Sequence, residues 1–166
     1  MNAIWHTAVE SQFGAALDAL EKAIRACPAH AWADPAEPVE RQFWYLAFHT
    51  AFWLDCYTSD DEHGYVPPAP FTLGEIDPAG VYPERTYAPA EVLGFLAHAR
   101  ARTRAVFAAL DERRAAARCK FERHDMSVLE LLVYNLRHVQ HHTAQLQWLL
   151  RQHGATPPRW VGRGRV

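Results

Sequence analysis

The stretch Asn135-Leu136-Arg137-His138-Val139-Gln140-His141-His142-Thr143-Ala144-Gln145-Leu146 places three of the chain's ten histidines within five positions. It lies inside the most helix-like segment of the sequence, from about Ser127 to Gln152. Ser127-x-x-Glu130, directly before Leu131 and Leu132, is a capping-box pattern, and His153-Gly154 with Pro157-Pro158 beyond supplies the stop. On an α-helix, residues four apart stand one turn above each other on the same face. His138 and His142 therefore project side by side, the geometry that makes His-x-x-x-His half of a zinc site. His141 points about 100° away from His142. It can pair with His138 at three-residue spacing, which leaves His142 over. Such pairs also arise by chance on helix surfaces, and two ligands do not make a site. A metal held with an open position needs a third protein ligand.

Outward from this stretch, three more segments carry helical periodicity. The first runs from about Asn2 to Ala26, with Ile4, Phe13, Leu17, Leu20 and Ile24 at three- and four-residue spacing. Cys27-Pro28 stops it, because proline disfavours helix at the residue before it. Ala29 to Pro38 reads as a loop. The second helix is expected over Val39–Tyr57. It is apolar nearly all round, which predicts burial on most sides, and its surplus of aromatics suggests a second interface, between subunits. His49 is the only ionisable residue in its central run. Ser59 to Pro89 is a long proline-rich connection with little periodicity; Tyr65, Phe71, Tyr82 and Tyr87 argue that it packs on the helices. The third helix, about Ala90 to Arg114, is rich in alanine and arginine and is expected to be the most exposed. In the tail after Pro158, Trp160 and Val161 are candidates for packing, and the last few residues are expected to fray. Four helices of some 20 residues and almost no strand pattern predict an all-α protein, a four-helix bundle with a long connection between helices 2 and 3.

Composition limits the functions available. At 166 residues the chain is expected to form one domain, residues 1–166. A net charge of −2 offers no electrostatic footprint for nucleic acid or an anionic membrane. No apolar run approaches the ~18 residues needed to span a bilayer, and the first residues carry no secretory pattern. Cys27, Cys56 and Cys119 are odd in number and far apart, so they form neither a disulfide framework nor a Cys-x-x-Cys motif. A reducing cytoplasm is the expected compartment.

An imidazole in the apolar middle of the second helix needs a partner. By itself His49 reads most simply as a hydrogen-bonded core histidine. Combined with the pair on the fourth helix, it completes three neutral nitrogen donors facing a bundle interior, where such bundles build metal sites. Imidazole suits zinc, nickel, copper or iron. Asn135 and Gln145 are candidates to hydrogen-bond a ligand or substrate, or simply lie on the helix surface. Cys56 sits about 10 Å along the axis from His49, too far to share an ion, and reads as a small buried residue. Glu75, Asp77 and Glu84 are candidates for an acid or base over the site, although solvated charges are commoner in loops. His6, His30, His63, His98, His124 and His153 read as surface residues.

These residues resemble the DinB-like family of metal-binding four-helix bundles. That family carries a histidine midway along its second helix and His-x-x-x-His on its fourth, usually within His-x-x-His-His followed closely by Gln-Leu. Here those are His49 and the stretch from His138 to Leu146. The resemblance covers essentially the whole chain. It implies the ligands His49, His138 and His142, with His141 not ligating. It also implies a homodimer, a divalent metal such as zinc or nickel, and kinship with transferases and isomerases that use a low-molecular-weight thiol on a small-molecule substrate. Many members have no known activity, so a non-catalytic metal- or ligand-binding dimer is the alternative. Thr143 departs from the pattern, because the family often has arginine there.

Overall fold

The computed structural model describes residues 4–59 and 61–166. Six α-helices follow in order: α1 (Ile4–Arg25), α2 (Ala29–Trp32), α3 (Phe43–Tyr57), α4 (Pro89–Ala108), α5 (Glu112–Ala116) and α6 (Val128–Gln152). The long ones, α1, α3, α4 and α6, form the expected four-helix bundle. Each packs on two neighbours, so that α1 lies diagonal to α3 and α4 diagonal to α6. No strand forms among the described residues; Arg118 and Ser127 make one isolated bridge. Asn2, where the first helix was expected to begin, lies outside the described residues.

Three boundaries differ from the periodicity reading, each for a local reason. Ala29–Pro38 is not wholly loop. One helical turn, α2, forms there and buries Trp32, whose indole N–H donates to the Tyr87 carbonyl at 2.8 Å. The second helix starts at Phe43 rather than Val39. Gln42 is extended (φ −69°, ψ 145°), and its side chain donates to the Glu37 carbonyl and accepts from the Trp44 indole. The expected third helix is two helices. Asp111 is extended and its carboxylate caps α5 through the Arg114 N–H, which ends α4 at Ala108 and turns Leu110 into the core. α4 is exposed along its outer face, as expected, and buries Val92, Phe95, Leu96, Ala99, Thr103 and Phe107.

α6 follows the sequence closely. The Ser127 hydroxyl accepts from the Glu130 N–H at 3.2 Å. At the other end Gly154 takes a left-handed conformation (φ 74°) that ends the helix without a Cβ penalty. Its buried face includes Leu131, Leu132, Val139, Leu146 and Leu150, with Asn135 and Thr143 as buried polar members.

The segment between α3 and α4 packs on the bundle. Phe71 stacks on Phe95 (centroids 4.3 Å) and lies against Phe48 and Tyr87. The Tyr65 hydroxyl donates to Asp55 at 3.0 Å. Asp55 is itself fully buried on α3 and accepts from the Arg102 guanidinium at 2.8 Å, a tie between α3 and α4 that periodicity does not reveal. Much of the aromatic surplus of α3 is thus covered by the chain's own connection. The tail also behaves differently from expectation. It docks on α1 and α4 rather than fraying: the Gly164 N–H donates to the Ser11 carbonyl, and Arg100 and Arg104 donate to the backbone oxygens of Arg165 and Val166. Val166 is buried, whereas Trp160 is 79% exposed. The approach is close because Gly14 and Gly164 face each other, and a Cβ on either would collide with the other segment's backbone.

Candidate metal centre

α3 and α6 are neighbours in the bundle, and they bring His49, His138 and His142 together. One ring nitrogen from each lies within 4.8 Å of the other two. Ring centroids are 5.4 Å apart for His49–His138, 4.8 Å for His49–His142 and 4.5 Å for His138–His142. The one-turn spacing of the α6 pair is a local property of the helix. Placing His49 opposite it depends on packing, and a direct tie between the helices is the Asn135 side chain, whose amide donates to the Leu54 carbonyl at 3.1 Å. Asn135 therefore secures α6 to α3 through the Leu54 carbonyl rather than bonding to one of the three rings.

The hydrogen bonds around the rings fix which nitrogens face inward. His142 Nδ1 lies 2.6 Å from Gln145 Oε1; an amide oxygen only accepts, so Nδ1 carries the proton and Nε2 keeps its lone pair. His49 Nδ1 lies 2.6 Å from Glu75 Oε2, so here too Nδ1 carries a proton, and Nε2 is the nitrogen turned towards His138. His138 Nε2 stands 3.4 Å from His49 Nε2, while its own Nδ1 is buried without a partner. Two nitrogens bound tetrahedrally at about 2.0–2.1 Å from one ion are about 3.3–3.4 Å apart. The His49–His138 separation therefore fits one edge of a tetrahedral coordination sphere, and a donor set of imidazole nitrogens fits a divalent metal.

Electrostatics keep the pair on α6 neutral. Burial, reinforced by the neighbouring His142, His49 and His141, pushes the His138 pKa down to about 3. Burial and His49 push His142 down to about 4, with the Gln145 hydrogen bond opposing. Both rings therefore offer lone pairs at neutral pH, as ligation requires. His141 is exposed and lies outside the three-nitrogen cluster.

Glu75 comes from the 3-10 turn Leu73–Glu75 in the long connection, and its side chain is only 3% exposed. Besides His49, it accepts from the Trp53 indole at 3.2 Å. Its burial works to raise its pKa, but the hydrogen bond and charge of His49, with Tyr45 and Trp53, outweigh this and hold it below the ordinary carboxylate value. The reading of loop acids as solvated charges thus fails for Glu75. Asp77 instead closes its own turn through the Ala79 N–H, and Glu84 is exposed. No local pattern singles out Glu75, which is 26 residues from His49. Cys56 is fully buried, and burial pushes its thiol up to about 12. Among the other histidines, His6 is not on the surface: it is 4% exposed, with Nε2 2.8 Å from the Phe107 carbonyl where α1 meets the end of α4. His124 and His153 are half-buried.

On its outer side the centre borders an open groove of about 550 Å³ lined by Tyr134, Arg137, His138, Gln140, His141 and Ala144. A second groove, of about 590 Å³, shares His141 and Ala144 and includes Arg41, Gln145 and Trp148. No fourth histidine, cysteine or carboxylate joins the cluster among the described residues, and no helix there is long and apolar enough to cross a membrane. No curated protein matches the chain. A family model described as the DinB superfamily matches residues 12–146, well over half of the sequence. The chain belongs to the DinB superfamily.

Proposed function

We propose that His49, His138 and His142 hold one divalent metal ion, zinc or nickel, and that the protein is a metal-dependent transferase acting with a low-molecular-weight thiol on a small electrophile. The observation that carries this reading is the convergence of three imidazoles from two helices, with no fourth protein donor joining the cluster among the described residues. Three ligands and an open position are the arrangement of catalytic rather than structural sites. When bound, such a metal lowers the pKa of a thiol and holds the thiolate as a nucleophile. The chain's own residues orient the rings, Gln145 through His142 and Glu75 through His49. The groove beside His138 provides the room for a small substrate, and Arg137 at its rim suits an anionic group.

The protein acts as a homodimer in this reading, with the exposed Val133 and Trp148 on α6 as apolar contacts. A reducing cytoplasm suits its three unpaired cysteines. A second reading has a specific observation in its favour. Glu75 is the acid adjoining the cluster, and its bonded oxygen is already engaged by His49 and Trp53. A centre whose adjoining acid is tied to a ring of the cluster also suits a non-catalytic metal- or ligand-binding dimer.

Elemental analysis of wild type, His138→Ala and His141→Ala tests the centre. About one metal per chain is expected in wild type and His141→Ala, and none in His138→Ala. Equal metal in wild type and His138→Ala would remove the assignment. A transfer screen with several thiols then separates the two readings: metal-dependent turnover supports the enzyme, and metal binding without turnover supports the binder.

A further inference from the structure

Carboxylates are costly to bury without a countercharge, yet Glu75 is almost wholly enclosed. Oε2 accepts from an imidazole and an indole, and the Tyr45 hydroxyl acts on the carboxylate as well; none of these partners is a lysine or an arginine. Its second oxygen, Oε1, is buried with no partner. The chain works to put it there. Trp53 lies one turn after His49 on α3, so the two donors that meet Glu75 share a helix face. The turn that carries Glu75 is drawn in so closely that a Cβ on Gly74 would lie 2.7 Å from the Val81 carbonyl oxygen. Ahead of it in the chain, Tyr65 and Phe71 anchor the connection to Asp55, Phe48 and Phe95.

We propose that Glu75 is the positioning residue of the metal centre: its carboxylate fixes His49 as the Nδ1–H tautomer, aims Nε2 at the ion, and supplies negative charge to a cation whose three ligands are neutral. The inference rests on the three-histidine reading above. A carboxylate behind a ligating imidazole makes the ring a stronger donor and holds its orientation. The geometry gives this centre one such partner, on the α3 ligand. The α6 ligand His142 has a neutral amide in the same place, and His138 has none. The charge is delivered from a connection remote in sequence, so the fold of residues 61–88 sets the affinity of a site built by α3 and α6.

The test uses the full chain as wild type, Glu75→Gln and Glu75→Ala, with His138→Ala as the ligand control. Each is titrated with Co²⁺ and then with Zn²⁺ against a competing chelator. The Co²⁺ absorption bands and the imidazole N–H resonance of His49 are recorded in parallel. The expected result is about one metal per chain in all but His138→Ala. Affinity should fall roughly 10–100-fold in Glu75→Ala and less in Glu75→Gln, which keeps an acceptor but loses the charge. The Co²⁺ bands should shift in both, and the His49 N–H signal should be lost in Glu75→Ala. If Glu75 only pins the connection, the variants lower the melting temperature of the metal-free protein while metal affinity and bands match wild type; that overturns the proposal and leaves the three-histidine centre standing. If wild type itself binds no metal, the centre and the role of Glu75 fall together. Should Glu75→Ala fail to fold, the near-isosteric Glu75→Gln decides by the same affinity and bands.

Discussion

Replacing His138 by leucine should stabilise the metal-free protein while abolishing its response to metal. In the folded chain His138 is mostly buried, its Nδ1 has no hydrogen-bond partner, and its pKa is driven down to about 3. An unsatisfied buried polar group costs about 1–3 kcal/mol. Leucine is close to histidine in size and removes that cost. It forfeits the edge contacts of the imidazole with His142 and Tyr57, each worth about 0.5–1.5 kcal/mol, and replaces them in part with ordinary apolar packing. The net gain is about 1 kcal/mol, or about 2–4 °C in Tm for a chain of this size. Metal reverses the order. At a free concentration 100 times its Kd, a ligand that binds only the folded state adds about 2.7 kcal/mol. Wild type gains this and the variant does not, so wild type should then be the more stable by roughly 2 kcal/mol. The assay is thermal and urea unfolding of both proteins, first with chelator and then with excess Zn²⁺. If the leucine variant is less stable than wild type in chelator, the idea that the orphaned ring is kept for ligation at the expense of stability is wrong. If both proteins gain equally from metal, His138 is not a ligand.

The metal-free protein should also lose stability as the solution is acidified, over a defined window. His138 and His142 titrate at about 3 and 4 when folded, below the value of 6.5 that histidine has when free. The unfolded chain therefore takes up protons first, so their contribution is complete above pH 6.5 and is lost as pH falls from there through about 4 for His142 and about 3 for His138. The loss should reach about 2–4 kcal/mol, mostly from His138 because the more exposed His142 is better screened, and the slope should be shallower in His138→Leu; equal slopes in urea titrations would contradict this. Gly164→Ala should detach the tail from α1, because its Cβ collides with the backbone at Gly14 and Ala15. The lost hydrogen bonds and the exposure of Val166 predict a destabilisation of about 2–4 kcal/mol, with faster amide exchange at Gly164, and unchanged exchange there would refute the close docking.

The helical class, the four long helices and the His138/His142 pair were legible in the sequence because each depends on neighbours within a turn or two. Apolar spacing, the Ser127 cap and the Gly154 stop act over a few residues, and those signals are complete in the local chain. His49 was legible as an oddity, an imidazole in an apolar helix. Periodicity says nothing about which helices are adjacent, and the tertiary structure decided that α3 and α6 are neighbours while α1 and α3 are diagonal. The break at Asp111 was hidden because alanine and arginine continue on both sides of it, and the cap that opens α5 is a single side-chain hydrogen bond. His6 looked exposed on an amphipathic helix until the end of α4 covered it. Glu75 was the least legible of all. A loop carboxylate is solvated unless distant segments enclose it, and the enclosure here needs Trp53, His49 and a connection folded onto α3 at once. Sequence fixes what lies within reach of one helical turn. Burial and charge across separations of tens of residues are properties of the packed molecule, and the environment of this centre is built from them.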